Sequence, residues 1–137
     1  MDGYRVLHVA FSDDWEACAR FGEYDVATRS TLVETTGFVH ATTRDGLSAV
    51  LRDVYGDTTE PLLLAVVDED ALAEAGVPVT WVHVRPDTPA TPRIGGVLPM
   101  DDRIVVAALE LTRGAGGWSA PDLTGLRVRA GAPEDQQ

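Results

Sequence analysis

The stretch PLLLAVV, residues 61–67, is a continuous apolar run bounded by turn signals, and it decides how the rest of the chain is interpreted. Such a run is typical of a strand that is buried on both faces. We therefore expect it to form the centre of a sheet. Further strands are predicted at residues 4–10, 38–41, 79–84 and 103–111.

Two main helices are predicted in the first half of the chain. The first begins at Ser12, a favourable N-cap residue, and continues to about residue 20. The second covers residues 44–55, where apolar residues recur at helical spacing and Thr42 or Thr43 provides the cap. These helices would pack against the sheet whose central strand is formed by residues 61–67.

The order of the elements predicts the fold class. The last strands follow one another without long helices, which does not fit a doubly wound parallel sheet, so we expect an α+β domain. A short helical turn is predicted at residues 68–76. Residues 23–36 are polar and irregular, and we interpret them as a long connection with one short strand around residues 30–33.

Three prolines at positions 86, 89 and 92 are predicted to keep the chain extended up to Ile94-Gly95-Gly96, which is interpreted as a flexible loop. The domain with its ligand cleft is expected to cover residues 1–112. Residues 113–137 are expected to form a C-terminal appendage, with residues 123–128 as a possible edge strand before a disordered tail.

Composition limits the classes of partner. The chain has 137 residues and a formal net charge of −11, and its eleven cations are all arginines that are scattered along the sequence. Because affinity for nucleic acid depends on clustered Lys and Arg, no nucleic-acid partner is expected. The absence of Lys excludes Schiff-base chemistry, and the single Cys18 excludes an internal disulfide.

Neither a membrane span nor a secretion signal is expected from the sequence. No apolar run approaches the roughly 20 residues that a span requires. The opening residues MDGYRVLHV lack the basic start and apolar stretch of a signal peptide. A cytoplasmic protein is therefore predicted.

Two histidines on predicted strands are the candidate catalytic residues. Burying a titratable ring without a partner costs a few kcal/mol, so His8 and His40 must either find partners in the core or face a cleft. The residues alone leave both interpretations open. His83 is interpreted as a surface ring or a ring with a satisfied partner, and the spacing of the three histidines predicts no metal site.

Several segments in order resemble the small bacterial family called domain of unknown function 952. They are Val6-Leu7-His8-Val9, Trp15 at a helix start, Gly37-Phe38-Val39-His40-Ala41-Thr42-Thr43, the strand at residues 62–67, Trp81 and Pro92-Arg93-Ile94-Gly95-Gly96-Val97-Leu98. The resemblance covers about residues 4–112, and the Gly-Phe-Val-His-Ala-Thr segment is its most specific part.

This resemblance implies a compact relative of the ADP-ribosyltransferase fold, a split sandwich of two small sheets with a cleft that holds NAD in better-known members. By that similarity His8 would hydrogen-bond a ribose hydroxyl. His40, Thr42 and Thr43 would line the same cleft, and Trp81 would contact the ligand.

The sequence departs from the family pattern at two places that bear on this chemistry. Trp81-Val82 stands where the family commonly has Trp-Glu, and Pro92-Arg93-Ile94-Gly95-Gly96 stands where it has Pro-His-Ile-Tyr-Gly. Val82 cannot stabilise a cation-like sugar as a carboxylate does, and Gly95 cannot stack on a ring. Arg93 could instead bind a carboxylate or phosphate.

Three hypotheses follow. The first places a small molecule, anionic or nucleotide-like, in a diverged cleft, with Arg93 as the anion clamp and His8 and His40 as acid and base. The second is an active NAD-dependent transferase in which Glu34 or Glu110 supplies the missing acid. The third is a non-catalytic interaction domain. No resident cofactor is predicted, NAD remains a possible ligand, and whether the protein is an enzyme is left open.

Overall fold

The structure is a computed structural model that describes residues 4–29 and 31–133. Its strands are β1 (Arg5–Phe11), β2 (Glu23–Tyr24), β3 (Val26–Thr28), β4 (Thr31–Leu32), β5 (Val39–His40), β6 (Leu62–Asp68), β7 (Val79–Val82), β8 (Thr91–Ile94), β9 (Leu98–Pro99), β10 (Val105–Glu110), β11 (Thr112–Gly114) and β12 (Gly117–Ser119). Its helices are α1 (Ser12–Ala19), α2 (Val33–Thr36), α3 (Leu47–Asp53) and α4 (Glu69–Glu74). The protein is thus a mixed α+β fold in which these four helices accompany several small sheets.

The larger sheet has the strand order β1-β6-β10, and both outer strands run antiparallel to β6. Every residue of β6 is buried, so the prediction that the apolar run forms the centre of a sheet is confirmed. β1 forms one edge and sets His8 opposite Ala65. Alternation along β1 sends His8 to one face of the sheet and its neighbours Leu7 and Val9 to the other.

A second sheet, with the order β5-β8-β7, contains a strand that the sequence does not predict. The expectation of a loop up to residues 94–96 is wrong over β8, which is the central strand. Pro92 is tolerated there because β5 pairs only with Arg93 and Ile94, so at Pro92 the strand has β7 as its single partner. The loop interpretation holds for Gly95 and Gly96, which follow the strand.

Two hydrophobic clusters lie on opposite faces of the larger sheet. One joins β1 and β6 to the second sheet and includes Val39, Ile94 and Tyr24. The other packs α3 against the opposite face through Leu47 and Leu51. His8 faces the first cluster, so its ring lies between the two sheets.

The connection at residues 23–36 is more structured than predicted. It contains β2, β3, β4 and α2; β3 pairs with β4, and β2 pairs with β9. The short strand expected around residues 30–33 corresponds in part to β4, and residue 30 lies outside the described residues. Strands of two or three residues are too short to show a two-residue period in the sequence.

The helix starts also differ from the predictions. Ser12 is the first helical residue rather than the N-cap, a position that Phe11 occupies. α3 begins after Gly46, so neither Thr42 nor Thr43 is its N-cap. At α4 the side chain of Asp68 accepts the N–H of Ala71 at 2.9 Å, which caps the helix that was predicted as a short turn.

The segment after β10 packs on the α3 side of the protein. Trp118 donates its indole N–H to the carbonyl of Tyr55 at 3.1 Å. Val128 is buried and forms a single parallel bridge with Arg5, near the end of the predicted edge strand. The predicted disordered tail falls in part on residues 134–137, which lie outside the described residues. Among the described helices, none is long and apolar enough to cross a membrane.

Candidate functional site

His8 is 2% exposed, and both of its ring nitrogens have partners. Nδ1 lies 2.6 Å from the carbonyl oxygen of His40, and Nε2 lies 2.9 Å from the hydroxyl of Tyr24. A carbonyl oxygen only accepts hydrogen bonds, so Nδ1 carries the proton and donates. Burial lowers the pKa of His8 to about 4, so the ring is neutral at pH 7, and its Nε2 accepts from the Tyr24 hydroxyl.

His8 therefore holds two other groups in place rather than presenting a nitrogen to a ligand. One of these groups, Tyr24, is 1% exposed and packs on Trp15 with 4.9 Å between the ring centroids. Sequence reasoning missed Tyr24 because it lies in the polar segment that was interpreted as a connection. Burial raises the pKa of Tyr24, which keeps its hydroxyl protonated as the donor.

His40 is exposed, and its side chain lies on the outer face of the second sheet. In the register of β5 and β8 it stands directly opposite Arg93, while Val39 and Ile94 form the neighbouring pair that enters the core. The ring of His40 lies 4.6 Å from the ring of Phe38, and Cζ of Arg93 lies 4.2 Å from the centre of the same Phe38 ring. These three side chains, which we call the His40 cluster, combine an imidazole, an aromatic ring and a guanidinium.

The electrostatics of the His40 cluster favour a neutral imidazole. Partial removal of the ring from water lowers the pKa of His40, and the positive charge of Arg93 lowers it further. A neutral ring can accept a proton, and the adjacent guanidinium can bind an anion. Together they provide a base and an anion-binding group on one face.

A cavity of about 30 Å³ lies beside both histidines. It is lined by Leu7, His8, Val9, Thr28, His40, Ala41, Thr42, Val50 and Tyr55. One water molecule needs roughly 10–15 Å³ of such space, so the cavity suits a few waters rather than a dinucleotide. Leu7 directs its N–H and C=O to Thr42. The N–H and C=O of Val9, two residues further along the strand, point in the same direction and so into the cavity. There the Tyr55 hydroxyl donates to the Val9 carbonyl at 3.2 Å.

The two threonines have mainly backbone roles. Thr42 exchanges N–H···O bonds of 2.7 and 2.9 Å with Leu7, which ties the end of β5 to the free edge of β1. Thr43 accepts the N–H of Gly46 through its hydroxyl at 3.3 Å. Both are buried, and of the two only Thr42 is among the described residues that line the cavity.

Trp81 does not join the candidate site. It pairs with Pro92 and lies one residue from Thr80, which stands opposite Arg93, so alternation puts Trp81 on the face away from Arg93. Its ring packs against the core cluster, with the guanidinium carbon of Arg129 at 5.4 Å from its centre. The register therefore does not bring Trp81 together with His40 and Arg93 on one face, and its predicted contact with a ligand stays a prediction.

The remaining candidates lie apart from the cavity. Glu34 and Glu110 are exposed, and neither is among the described residues that line it. His83 is exposed and donates through Nδ1 to the Thr88 carbonyl at 2.8 Å, which fits the interpretation of a surface ring with a partner. No group of three or more His, Cys, Asp or Glu side chains within the described residues could hold a metal ion.

Solved structures match this fold. The crystal structure of protein CC0527 from Caulobacter crescentus aligns with a TM-score of 0.68 and 18% identity, and the alignment covers 87% of this chain and 94% of that chain. A double mutant of the same protein matches equally. At this identity the likeness shows the fold alone.

Comparison with families and with curated proteins gives a consistent picture. No curated protein matches the chain. The family described as "Protein of unknown function (DUF952)" matches residues 9–106, which is most of the chain. This chain therefore belongs to the DUF952 family.

Proposed function

We propose that the protein binds a small molecule with an anionic, nucleotide-like group at the His40 cluster, in a cleft that has diverged from NAD-dependent ADP-ribosyl transfer. The observation that carries the proposal is the cross-strand placement of His40 and Arg93, with Phe38 between an imidazole and a guanidinium. Phosphate and carboxylate groups are bound by this pair of side chains, and Phe38 offers a surface for a ring. His8 acts as a positioning residue that holds the His40 backbone.

Charge supports this placement. The chain has twice as many acidic residues as arginines, and several described arginines, including Arg5, Arg29 and Arg129, have carboxylate partners. Arg93 instead stacks on Phe38, and none of the ion pairs among the described residues includes it. Arg93 and protonated His40 repel each other, and an anion bound beside them would attract both side chains.

The proposed relationship to ADP-ribosyltransferases rests on the arrangement of the sheets. Two small antiparallel sheets share one hydrophobic cluster, and the Thr42–Leu7 bridge joins their edges beside the cavity. Val82 is half-buried and Gly95 is exposed; they supply neither a carboxylate nor a ring, and the cavity is too small for the nicotinamide half of NAD. These features favour binding of an anionic, nucleotide-like ligand over cleavage of NAD.

The test is a titration of the ¹⁵N-labelled protein with inorganic pyrophosphate and with ADP-ribose. We expect saturable shifts in the amide signals of residues 38–42 and of Thr91, Arg93 and Ile94, together with a rise in the pKa of His40. Arg93→Gln should weaken binding about tenfold, the equivalent of losing about 1.4 kcal/mol. The matched control is Arg103→Gln, which removes the same charge from a side chain that is 78% exposed.

Three results would overturn the proposal. If Arg103→Gln weakens ligand binding as much as Arg93→Gln does, the effect is one of general charge. If no saturable shifts are seen, the interpretation as a non-catalytic interaction domain is favoured. Release of nicotinamide from NAD, lost in His40→Gln, would show an active NAD-dependent enzyme instead.

A further inference from the structure

We propose a second binding site, between the start of α3 and residues 120–128, for a molecule with an apolar part and a carboxylate or phosphate group. The site, which we call the α3 pocket, has a volume of about 620 Å³. Pockets for small molecules usually measure roughly 300–1,000 Å³. Within the described residues it shares no lining residue with the cavity beside His40, so it is independent of the function proposed above.

The walls of the α3 pocket are already held together by backbone hydrogen bonds. On one side the N–H of Arg44 donates to the carbonyl of Arg129 at 2.8 Å. On the other side the N–H of Leu126 donates to the carbonyl of Leu123 at 3.1 Å and closes a turn. A preformed pocket loses little conformational entropy when a ligand enters, which favours binding.

Apolar side chains form part of the lining of the α3 pocket. Leu47 is 1% exposed and Val128 is 7% exposed, and both belong to the cluster that packs under α3. Pro121 and Leu123 add half-buried apolar surface from the C-terminal segment. A hydrocarbon or ring placed here would gain roughly 25 cal/mol for each Å² of apolar surface removed from water.

Two arginines, one from each wall, line the same pocket. Arg44 precedes α3, is exposed, and has no ion-pair partner within the part of the chain that the structure describes. Arg127 comes from the C-terminal segment and adopts a φ of 54°, a left-handed conformation that costs a non-glycine residue about 1–2 kcal/mol. Strained residues of this kind are concentrated at binding sites.

One carboxylate, that of Asp122, also lines the α3 pocket. Its Oδ1 accepts both the N–H of Thr124 at 3.0 Å and the hydroxyl of Thr124 at 2.6 Å. These two bonds lower the pKa of Asp122 and hold its charge in the turn. A ligand anion is therefore expected beside Arg44, at the start of α3, rather than beside this carboxylate.

The experiment uses three eight-carbon probes with the full-length ¹⁵N-labelled protein: octanoate, octyl phosphate and the neutral octanol. Saturable shifts are expected at residues 44–47 and 120–128 with either anion, and the tighter of the two identifies the head group. Arg44→Met should weaken binding of the anion about tenfold. Arg85→Met is the matched control, because Arg85 is exposed in the loop between β7 and β8 and does not line the pocket.

The proposal would be overturned by any of three results. Octanol binding as tightly as the anions would remove the role of the arginines. Equal losses in the Arg44 and Arg85 variants would indicate general attraction to the protein, and shifts confined to other residues would place the site elsewhere. Because pyrophosphate and ADP-ribose report on residues 38–42, failure of one proposal is distinguishable from failure of the other.

Discussion

At the scale of single residues, His8 connects the stability of the protein to pH. Its pKa is about 4 in the folded protein against 6.5 for an ordinary histidine, because the buried ring cannot easily carry a charge beside Tyr24 and the His40 backbone. Between these two values the unfolded chain binds more protons than the folded chain. The stabilising contribution of neutral His8 is therefore fully present above about pH 6.5 and decreases as the pH falls toward 4.

We expect the contribution of His8 to fall by about 2 kcal/mol between pH 7 and pH 5, since the pKa shift covers 1.5 pH units of that interval at about 1.4 kcal/mol each. The measurement is urea unfolding at several pH values, for the wild type and for His8→Gln. Carboxylates titrate in both proteins, so the difference isolates His8. Parallel pH profiles for the two proteins would contradict this interpretation.

The Tyr24 hydroxyl offers a second prediction at this scale. Tyr24→Phe keeps the packing on Trp15 but leaves Nε2 of His8 without its donor, so we expect a loss of about 1–3 kcal/mol. In a His8→Phe background the same change should cost little, because the acceptor is no longer present. Additive losses in the double mutant would show that the two side chains are not coupled. Chemical unfolding of all four proteins measures this.

At the scale of elements, the entry into β5 depends on one glycine. Gly37 ends α2 with a φ of 86°, which reverses the chain so that His40 can stand opposite Arg93. Gly37→Ala should lose about 1 kcal/mol of stability and broaden the amide signals of β5. Gly116→Ala is the control, since a Cβ there meets open space and its φ is not in the left-handed region. Equal losses in the two variants would argue against a special role for Gly37.

The strands show which parts of the fold could be predicted from the sequence. The run at residues 61–67 identified β6 because burial on both faces requires continuous apolar residues. β8 was missed because Pro92 normally excludes a strand, and the register that makes Pro92 acceptable depends on how far β5 extends. The nearness of His8 and His40 follows from the long-range Thr42–Leu7 bridge, which leaves no local pattern.

The candidate site was also predictable only in part, because it depends on long-range strand pairing. His40 was selected as a titratable residue on a predicted strand and Arg93 because it departs from the family pattern, whereas their pairing required the strand at residues 91–94. Trp81 was assigned to the site from the family resemblance. Its face depends on the register of β7 against β8, which a single sequence does not reveal.

At the scale of the whole molecule, the Arg129 side chain ties the C-terminal segment to α4, to β7 and to the residue that precedes β1. Its guanidinium binds the carboxylate of Glu69 and lies 4.5 Å from the centre of the Tyr4 ring and 5.4 Å from that of Trp81. Both charged side chains are at most one-fifth exposed, so the pair is only partly screened by solvent. The residues after β10 should therefore unfold together with the core.

Arg129→Met tests this cooperativity. Removing one partner of a largely buried ion pair leaves the other charge without compensation, and after allowing for the remaining exposure we expect a loss of about 2 kcal/mol. Trp118 reports on the C-terminal hairpin and Trp15 on the core between the sheets, so variants that each retain one of these tryptophans separate the two regions. In the wild-type background the urea unfolding transitions reported by the two tryptophans should coincide. In Arg129→Met both transitions should shift together to lower urea concentration, because the C-terminal segment is continuous with the cluster under α3. A Trp118 transition at lower urea concentration than that of Trp15 in the wild-type background would instead show that residues 113–133 form a separate unit.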